Sequence, residues 1–587
     1  MAKTKKQQNN GLLAFFRDKL GVDKNKLITS LLAGFTLPFV LCICSTLNVF
    51  FTNADEFYFS PADFMGFYTL IGLGAFAVIT LLLLLTKGLL RNILFSLFSG
   101  LGVMAFVQTM ITTLSFKGLP GDGNVAPSPQ WANVLNFCLW VIAIGAAIWF
   151  GSLTNKAEKG RTVLSFLLIL VLVMQTFTVV PSAITYASSK SSDEGTVPTD
   201  GSVSYLTTKD MFQLSKKKNV VVFLVDRFDS YYFDELVNTD PHFFDDFDGF
   251  TYYADNISTY PRTYPATTSI LTGVDNDFSG TRLEYFEKAY GESTFLSDLK
   301  DNNFKINLYI PDYYAYQSAS VFKDTVSNVS TASGYTVVSE DALRWEMFNL
   351  SSYFWAPEIF KNNSVSSKTF ASIVRPDGEA KKYEMNDPAF YDEYQAQPDG
   401  VYTQNDQNTF SLYHLRGCHY PYNMDENCNP VEDNTVTSFQ QNSGVFKIIR
   451  EYIQDMKDLG IYEDSTIIIT GDHAMLSSDT ADLDNPFITA LLVKQSGQSG
   501  TPMSTSYAPV CQDNMFAEIV KSANIKTNND YGTAYSDIPE DATLTRTMFF
   551  QKMGNTDENV TYEITGSGLA WDNWEVVDRQ DIGGVYD

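Results

Sequence analysis

The chain has 587 residues, which is too long for a single hydrophobic core, so two or more domains are expected. It carries 41 basic and 68 acidic residues, which gives a net charge of −27. This balance argues against nucleic acid as a partner, because phosphate backbones are bound by an excess of Lys and Arg. It also makes the binding of any anionic substrate dependent on a local cation.

Five apolar runs dominate the first 181 residues, and each approaches or exceeds the roughly 20 residues that cross a bilayer. Buried helices of a soluble protein are the alternative, but five such runs in succession favour membrane spans. The sequence therefore predicts a cytoplasmic N-terminus over 1–26 and a five-span transmembrane domain over 27–181. The runs lie near Leu27 to Phe51, Phe64 to Thr86, Asn92 to Thr113, Ala132 to Leu153 and Thr162 to Val180.

The loops between these runs differ in charge. Lysines precede the first run, Lys87 and Arg91 separate the second from the third, and Lys156 and Arg161 separate the fourth from the fifth. By the positive-inside rule the N-terminus is cytoplasmic, and everything after Pro181 is extracellular. The basic head also has features of a signal peptide, but its apolar run is too long. We predict an uncleaved first helix in the plasma membrane.

The outer part changes in composition. Residues 182–218 are rich in Ser, Thr, Asp and Gly, which predicts a linker. Strands then alternate with helices, which predicts an α/β domain over 219–524 with a central, mostly parallel sheet and helices on both faces. Short alternating runs predict a small antiparallel β add-on over 525–587. The clearest elements are strands Asn219 to Val225, Lys305 to Ile310 and Ser465 to Thr470, and a helix from Gln440 to Leu459.

Two acidic residues and a histidine come directly after predicted strands. Asp226 follows the first of these strands, and Asp472 and His473 follow the last, in a Gly-Asp-His sequence. Ligands of α/β sheets gather at the carboxyl ends of the strands. A salt bridge to Arg227 or Arg262 is the alternative for Asp226. We predict that the three residues hold a divalent cation, for which Zn²⁺, Mn²⁺ and Mg²⁺ are the candidates.

A hydroxyl in a turn before a short helix accompanies these ligands. It belongs to Thr263, the first residue of the sequence Thr-Tyr-Pro-Ala-Thr-Thr-Ser-Ile-Leu-Thr-Gly. A metal that lowers the pKa of such a hydroxyl makes it a nucleophile. On the residues alone Thr263 is equally a turn residue or a helix N-cap, and Thr267, Thr268 and Ser269 compete for the role.

This segment resembles the nucleophile motif of the sulfatase and alkaline phosphatase superfamily. In sulfatases that motif reads Cys-x-Pro-x-Arg and ends in Leu-Thr-Gly, and here Thr263, Pro265 and Leu271-Thr272-Gly273 stand at those positions. A threonine cannot become formylglycine, which disfavours sulfate ester hydrolysis. The nucleotide pyrophosphatase branch uses threonine with two metals. Asp312 follows a strand but has no histidine one helical turn beyond it, which indicates one metal ion.

Over nearly its whole length the chain is similar to the lipoteichoic acid synthase-like group, with five spans, a linker and an external sulfatase-like domain. That group's Asn-His-Phe-Pro-Phe segment, whose histidine contacts substrate phosphate, resembles residues 418–422, which contain His419. The resemblance implies that Thr263 is the nucleophile and also contacts the metal, and that His419 is a phosphate contact or acid/base. The group's first ligand is Glu where this chain has Asp226. Arg344 is the candidate for its phosphate-binding arginine.

The resemblance implies a glycerophosphate transferase of a bacterial, Gram-positive-like cell. It would move a phospholipid headgroup through a phosphothreonine to a surface glycan or glycolipid. A phosphoethanolamine transferase is the first alternative, although such enzymes tend to carry Asn-His-Gly-Pro and several disulfides. An extracellular phosphodiesterase or sulfatase-like hydrolase is the second, and a degenerate binding domain is the third. Cys418 and Cys428 flank a turn-rich segment, which leaves a local disulfide between them open.

Overall fold

The chain forms two compact units in a computed structural model. One unit comprises Met1–Gly195 and Tyr335–Arg375, and the other comprises Thr196–Gly334 and Pro376–Asp587. The structure describes residues 22–52, 57, 59–115, 130–189, 203–279, 282–312, 319–361, 373–378, 380–404, 406–474, 483, 485–551 and 558–581.

Among the described residues of the first unit, five helical segments are long and apolar enough to cross a membrane, which confirms the predicted number of spans and indicates a multi-pass membrane protein. These segments are Lys24–Phe51, Pro61–Leu85, Gly88–Thr112, Trp131–Leu153 and Ala157–Ala187. Their helices are α1 (Lys24–Pro38), α2 (Ser45–Thr52), α3 (Pro61–Leu85), α4 (Gly88–Ser115), α5 (Gln130–Ile148) and α6 (Ala157–Ser189). A turn of π-helix, Phe39–Cys44, joins α1 to α2.

Two features of the first unit lie outside the predicted spans. Helix α6 continues through Pro181 to Ser189, into the range predicted as a linker. Residues 335–375, within the range predicted for the outer domain, contribute helix α11 (Glu340–Trp355) to the membrane unit. Its apolar residues explain this placement, because Leu343 and Met347 are fully buried in a cluster with residues of the first two spans.

The second unit is built on a seven-stranded sheet whose strands are in the order β14-β4-β13-β12-β3-β11-β6. Its core strands β12, β3, β11 and β6 are parallel, and β13 is antiparallel to both neighbours. The predicted α/β class is therefore confirmed. These strands are β3 (Asn219–Val225), β4 (Phe250–Tyr253), β6 (Phe304–Tyr309), β11 (Asn408–Leu415), β12 (Ser465–Thr470), β13 (Leu491–Lys494) and β14 (Ser504–Ser506).

Helices pack on both faces of this sheet. Every residue of β3 is buried, because apolar clusters cover it from each side. One cluster includes residues of α7 and α13, and the other includes residues of α8, α10 and α14. The helices of this unit are α7 (Ser230–Thr239), α8 (Thr263–Thr272), α9 (Arg282–Glu292), α10 (Phe295–Asp301), α12 (Asp387–Gln395), α13 (Ser438–Asp458) and α14 (Met515–Ser522).

A separate antiparallel sheet of three strands ends the chain, which confirms the predicted C-terminal add-on. It consists of β16 (Thr545–Gln551), β17 (Glu558–Thr565) and β18 (Trp574–Asp581). The remaining strands pair in short two-stranded sheets: β1 (Val203–Leu206) with β7 (Val329–Ala332), β2 (Gln213–Ser215) with β10 (Tyr402–Gln404), β5 (Asn256–Ile257) with β15 (Val510–Cys511), and β8 (Tyr335–Val337) with β9 (Val374–Pro376).

Candidate metal centre and nucleophile

Asp226 lies immediately after β3, where the buried strand reaches the carboxyl edge of the sheet. Its backbone is held on both sides, because its N–H donates to the Leu415 carbonyl over 3.1 Å and its carbonyl accepts the Cys418 N–H over 2.9 Å. The residue is fully buried. A carboxylate in that position is costly unless a cation or hydrogen-bond donors compensate its charge.

Asp472 occupies the equivalent place after β12, the parallel neighbour of β3. Its Oδ1 accepts two backbone N–H groups, from Arg227 at 3.0 Å and from His473 at 2.9 Å. Arg227 has a φ of 61°, a left-handed conformation that is unusual outside glycine and that aims its N–H at this oxygen. Oδ2 of Asp472 is buried and accepts no hydrogen bond within the described part of the chain.

The ring of His473 lies close to the carboxylates of Asp226 and Asp472. Its Nε2 lies 3.8 Å from Asp226 Oδ1 and 3.7 Å from Asp472 Oδ2. Its Nδ1 donates to the Ala474 carbonyl over 2.8 Å, which leaves Nε2 with a free lone pair. Burial lowers the pKa of His473, although the Asp472 carboxylate opposes this effect. The neutral imidazole that results is the form that binds metals.

Thr263 completes the cluster from a third element, after the ends of β3 and β12. It is the first residue of α8, and its Oγ1 lies 3.4 Å from His473 Nε2. The N-terminus of a helix carries a partial positive charge, which stabilises a developing alkoxide or a phosphate oxygen. Two of the three competing hydroxyls face other groups: Thr268 donates to the Tyr264 carbonyl, and Ser269 donates to Asp275.

The structure therefore brings together the four side chains predicted from sequence, Asp226, Thr263, Asp472 and His473. Two carboxylates, one imidazole and one hydroxyl form a donor set suited to Zn²⁺ or Mn²⁺ and tolerable for Mg²⁺. The buried Asp472 Oδ2 is a polar atom that a cation would satisfy. The residues thus fit a divalent metal ion, and their individual roles stay predictions.

His414 was missed by the sequence analysis. It lies on β11 opposite Leu224 of β3, and it is fully buried. One of its ring nitrogens, one Asp226 oxygen and one Asp472 oxygen all lie within 4.8 Å of one another. A histidine near the end of a buried apolar strand was the available signal, but its meaning depends on β11 being the neighbour of β3.

Two residues outside the cluster hold its loops in place. A Cβ at Gly471 would lie 2.3 Å from the Phe228 carbonyl oxygen, so the approach of the two segments requires glycine. The Gln512 amide donates to the carbonyls of Gly471 and Asp472 over 3.0 and 2.7 Å. Gln512 is itself buried, so this bridge fixes the loop that carries two of the predicted ligands.

His419 and Arg344 are the two predicted substrate contacts. His419 directly follows Cys418, whose N–H donates to the Asp226 carbonyl over 2.9 Å. His419 is half-buried in the turn after β11, where its N–H donates to the Arg416 carbonyl over 3.2 Å. Arg344 lies in the other unit, on α11, and forms ion pairs with Glu340 and Asp341. Both substrate roles stay predictions.

Asp312, Cys418 and Cys428 occupy structural positions. Asp312 accepts the Leu206 N–H over 2.9 Å and forms a 2.8 Å ion pair with Lys382. Cys418 and Cys428 are both buried free thiols, so the local disulfide that the sequence left open is not present. Cys428 instead donates its S–H to the Gly444 carbonyl, and burial raises the pKa of the Cys418 thiol well above its usual value.

Several solved structures are similar to this chain, whereas no curated protein matches it in sequence. The lipoteichoic acid synthase LtaP from Listeria monocytogenes is 14% identical with a TM-score of 0.33, over 65% of this chain and 91% of that one. The lipooligosaccharide phosphoethanolamine transferase EptA from Neisseria meningitidis is 13% identical with a TM-score of 0.33, over 87% of this chain and 98% of that one. The phosphonate monoester hydrolase from Silicibacter pomeroyi is 12% identical with a TM-score of 0.36, over 63% of this chain and 91% of that one.

The family model described as Sulfatase matches residues 218–525, which is more than half of the chain. The matched range begins just before β3 and contains the four clustered residues together with His414. The protein is therefore a membrane-anchored member of the sulfatase family.

Proposed function

We propose that this protein is a metal-dependent phosphotransferase that moves a phospholipid headgroup, with glycerol phosphate favoured, to a cell-surface glycan or glycolipid. The observation that carries the proposal is the convergence of the Thr263 hydroxyl with Asp226, Asp472 and His473 in a chain with five candidate membrane spans. Threonine cannot form formylglycine, which favours phosphoryl over sulfuryl chemistry.

Asp226, Asp472, His473 and the Thr263 oxygen would hold the cation. When bound, it supplies a Lewis acid that lowers the pKa of a coordinated alcohol and offsets charge on phosphate oxygens. The Thr263 hydroxyl loses its proton to solvent water, and Oγ1 attacks the phosphorus of the lipid. A bond forms between Oγ1 and phosphorus, the bond from phosphorus to the diacylglycerol oxygen breaks, and that oxygen takes up a proton, for which we propose His419 as the donor.

The second step reverses the first with a different alcohol. An acceptor hydroxyl loses its proton and attacks the phosphothreonine, the bond between phosphorus and Oγ1 breaks, and Thr263 regains a proton. His419, now unprotonated, is suited to accept the proton of the acceptor. The N-terminus of α8 stabilises the phosphate oxygens in both steps through its partial positive charge.

The membrane unit supports a lipid as the donor. The loops rich in Lys and Arg favour a cytoplasmic N-terminus under the positive-inside rule, so the sheet unit would lie outside the cell at the plasma membrane. An outer-leaflet headgroup would then be available to the Thr263 hydroxyl, and the acceptor would be a component of the cell surface.

The test uses the full chain in proteoliposomes that contain phosphatidylglycerol or phosphatidylethanolamine with an isotope-labelled headgroup. We expect diacylglycerol release and a glycerol phosphate adduct on the peptide that contains Thr263, seen by mass spectrometry. An ethanolamine phosphate adduct would instead identify a phosphoethanolamine transferase. Release of free headgroup without any dependence on an acceptor would identify a hydrolase. The ethanolamine phosphate adduct would overturn the favoured donor, and acceptor-independent release would overturn the transfer reaction.

A further inference from the structure

A helix of the membrane unit carries an apolar surface that the proposed chemistry does not use. Helix α11 (Glu340–Trp355) buries Leu343 and Met347 against residues of the first two spans. Its opposite face exposes Trp345 by 61% and Phe348 by 41%. The turn after the helix adds Phe360, which is 68% exposed.

The exposed rings of Trp345 and Phe348 and the half-buried ring of Trp355 form a continuous strip along α11. The ring centroids of Trp345 and Phe348 are 5.8 Å apart, and those of Phe348 and Trp355 are 6.1 Å apart. Spacings of three and seven residues place these side chains on one face of a helix. Soluble surfaces rarely keep contiguous aromatic patches exposed, so the strip indicates an apolar partner.

Hydrogen bonds fix α11 and the following turn at one end of the helical bundle. Tyr68 lies in the first turns of its span, Thr112 ends its span, and Asn136 lies in the first turns of its span, so all three mark the same end. The Tyr68 hydroxyl donates to the Arg344 carbonyl over 2.6 Å, and the Thr112 hydroxyl donates to the Phe354 carbonyl over 3.1 Å. The Glu358 N–H donates to the side-chain Oδ1 of Asn136 over 3.1 Å.

The depth of this attachment follows from helix length. The span Pro61–Leu85 has 25 residues, which is ~37 Å at 1.5 Å per residue, against a hydrocarbon thickness of about 30 Å. The excess of ~7 Å corresponds to about five residues, so the membrane boundary falls within the first turn or two of this helix, within one turn of Tyr68. The other end of the bundle carries basic residues, where Arg91 donates to the Thr29 hydroxyl over 2.7 Å.

The aromatic strip is continuous with the lipid-facing surface of the spans. The Arg344 guanidinium lies 4.9 Å from the ring centroid of Phe67, which is 38% exposed on the second span. Trp131, at the same end of the fourth span, is 68% exposed. Tryptophan and other aromatic side chains gather at the level of lipid headgroups, where an apolar ring and a polar edge are both satisfied.

We propose that α11 is an interfacial helix, with Trp345, Phe348 and Phe360 inserted among the headgroups and upper acyl chains of the leaflet at the end of the bundle that Tyr68, Thr112 and Asn136 mark. The partner is a lipid surface, since the strip continues the lipid-facing surface of the spans. This inference depends on the five spans and not on the proposed transfer reaction, so the two can fail separately.

The experiment places a photoreactive p-benzoylphenylalanine at Trp345, Phe360 or Tyr507 in the full chain, reconstituted in nanodiscs of phosphatidylcholine and phosphatidylglycerol. Tyr507 is the matched control, because it is an aromatic residue of the sheet unit with 55% exposure. We expect lipid adducts at 345 and 360 in at least about tenfold excess over 507. Lipid labelling no higher than at 507, or crosslinks mainly to a second protein chain, would overturn the proposal.

A second measurement keeps the test independent of the photoreactive group. Brominated lipids quench tryptophan fluorescence at short range, and the contribution of Trp345 is obtained as the difference between the unmodified chain and Trp345→Phe. We expect this difference signal to be strongly quenched by lipids brominated near the headgroup. A difference signal that brominated lipids leave unchanged would contradict the interfacial position.

Discussion

Gly417 lies against the backbone of Asp226 so closely that a Cβ at position 417 would stand 2.7 Å from the Asp226 nitrogen and 2.9 Å from its oxygen. Gly417 also has a φ of 59°, which favours glycine. We predict that Gly417→Ala lowers stability, by about 1–3 kcal/mol from the backbone conformation alone. It should also displace Asp226 and reduce the metal content measured by elemental analysis.

Gly460 supplies the control for this substitution. Its φ of 68° is similar, but, its two chain neighbours apart, no atom of the described residues lies within 4 Å of the position that a Cβ would take. Gly460→Ala should therefore show the conformational cost in thermal unfolding and keep the full metal content. Equal metal content in the two variants would show that contact between Gly417 and Asp226 does not position the ligand.

Thr263 is the residue on which the covalent step depends. Thr263→Ala should reduce headgroup transfer by at least about 10³-fold, since loss of a nucleophile removes the interaction that the transition state requires. Thr263→Ser keeps a hydroxyl next to His473 and should retain part of the activity. Thermal unfolding should change little in either variant, because Thr263 is only half-buried. Full turnover by Thr263→Ala would exclude the phosphothreonine intermediate.

His414 provides a test of metal binding that does not depend on activity. Because its ring lies within 4.8 Å of oxygens of Asp226 and Asp472, His414→Gln should weaken metal affinity by about 10–100-fold, the usual loss for a group that supports the ligands. The affinity is measured by calorimetric titration of the metal-stripped chain. Tyr413→Phe is the control, since it removes a buried hydroxyl of the same strand that donates to the Met211 carbonyl. Unchanged affinity in His414→Gln would remove His414 from the metal centre.

Elements with strong local patterns were predictable from the sequence. Strands β3 and β12 have the bounds that were expected, Asn219–Val225 and Ser465–Thr470, because each is a short β-branched run that is buried on both faces. The helix expected from Gln440 to Leu459 begins earlier, at Ser438, because Thr437 caps it. The clustering of Asp226 with Asp472 and His473 followed from the rule that ligands gather at strand ends.

Features that depend on contacts between distant segments were not predictable from the sequence. His414 gains its significance because β11 pairs with β3 in a register that places it opposite Leu224. Gln512 supports the site through two long-range hydrogen bonds that no local sequence pattern predicts. In sequence, helix α11 lies within the range predicted for the outer domain. Its burial against the spans assigns it to the membrane unit.

A pH-dependent stability follows from a second acidic cluster, in a cleft of about 380 Å³ at the C-terminal end of α8. Burial, together with the neighbouring Asp275 carboxylate, raises the pKa of Asp513 to about 6. In the unfolded chain this carboxyl titrates near its usual value of about 3.9. At a pH between these two pKa values, the folded state binds more protons than the unfolded state. The stability of the fold therefore falls as the pH rises from about 4 to about 6.

Asp513→Asn should remove this fall. We expect the variant and the unmodified chain to have similar melting temperatures at pH 4. As the pH rises to 6, the melting temperature of the variant should come to exceed that of the unmodified chain, and the difference should persist above pH 6. The Asn side chain can still accept the hydrogen bond that Thr259 donates to Asp513 over 3.2 Å, so the comparison isolates the charge. Asp541→Asn, an exposed carboxylate of the same unit, is the control and should show no such trend. An advantage of Asp513→Asn that is the same at pH 4 and pH 7 would show that repulsion from Asp275 and burial of charge are not its cause.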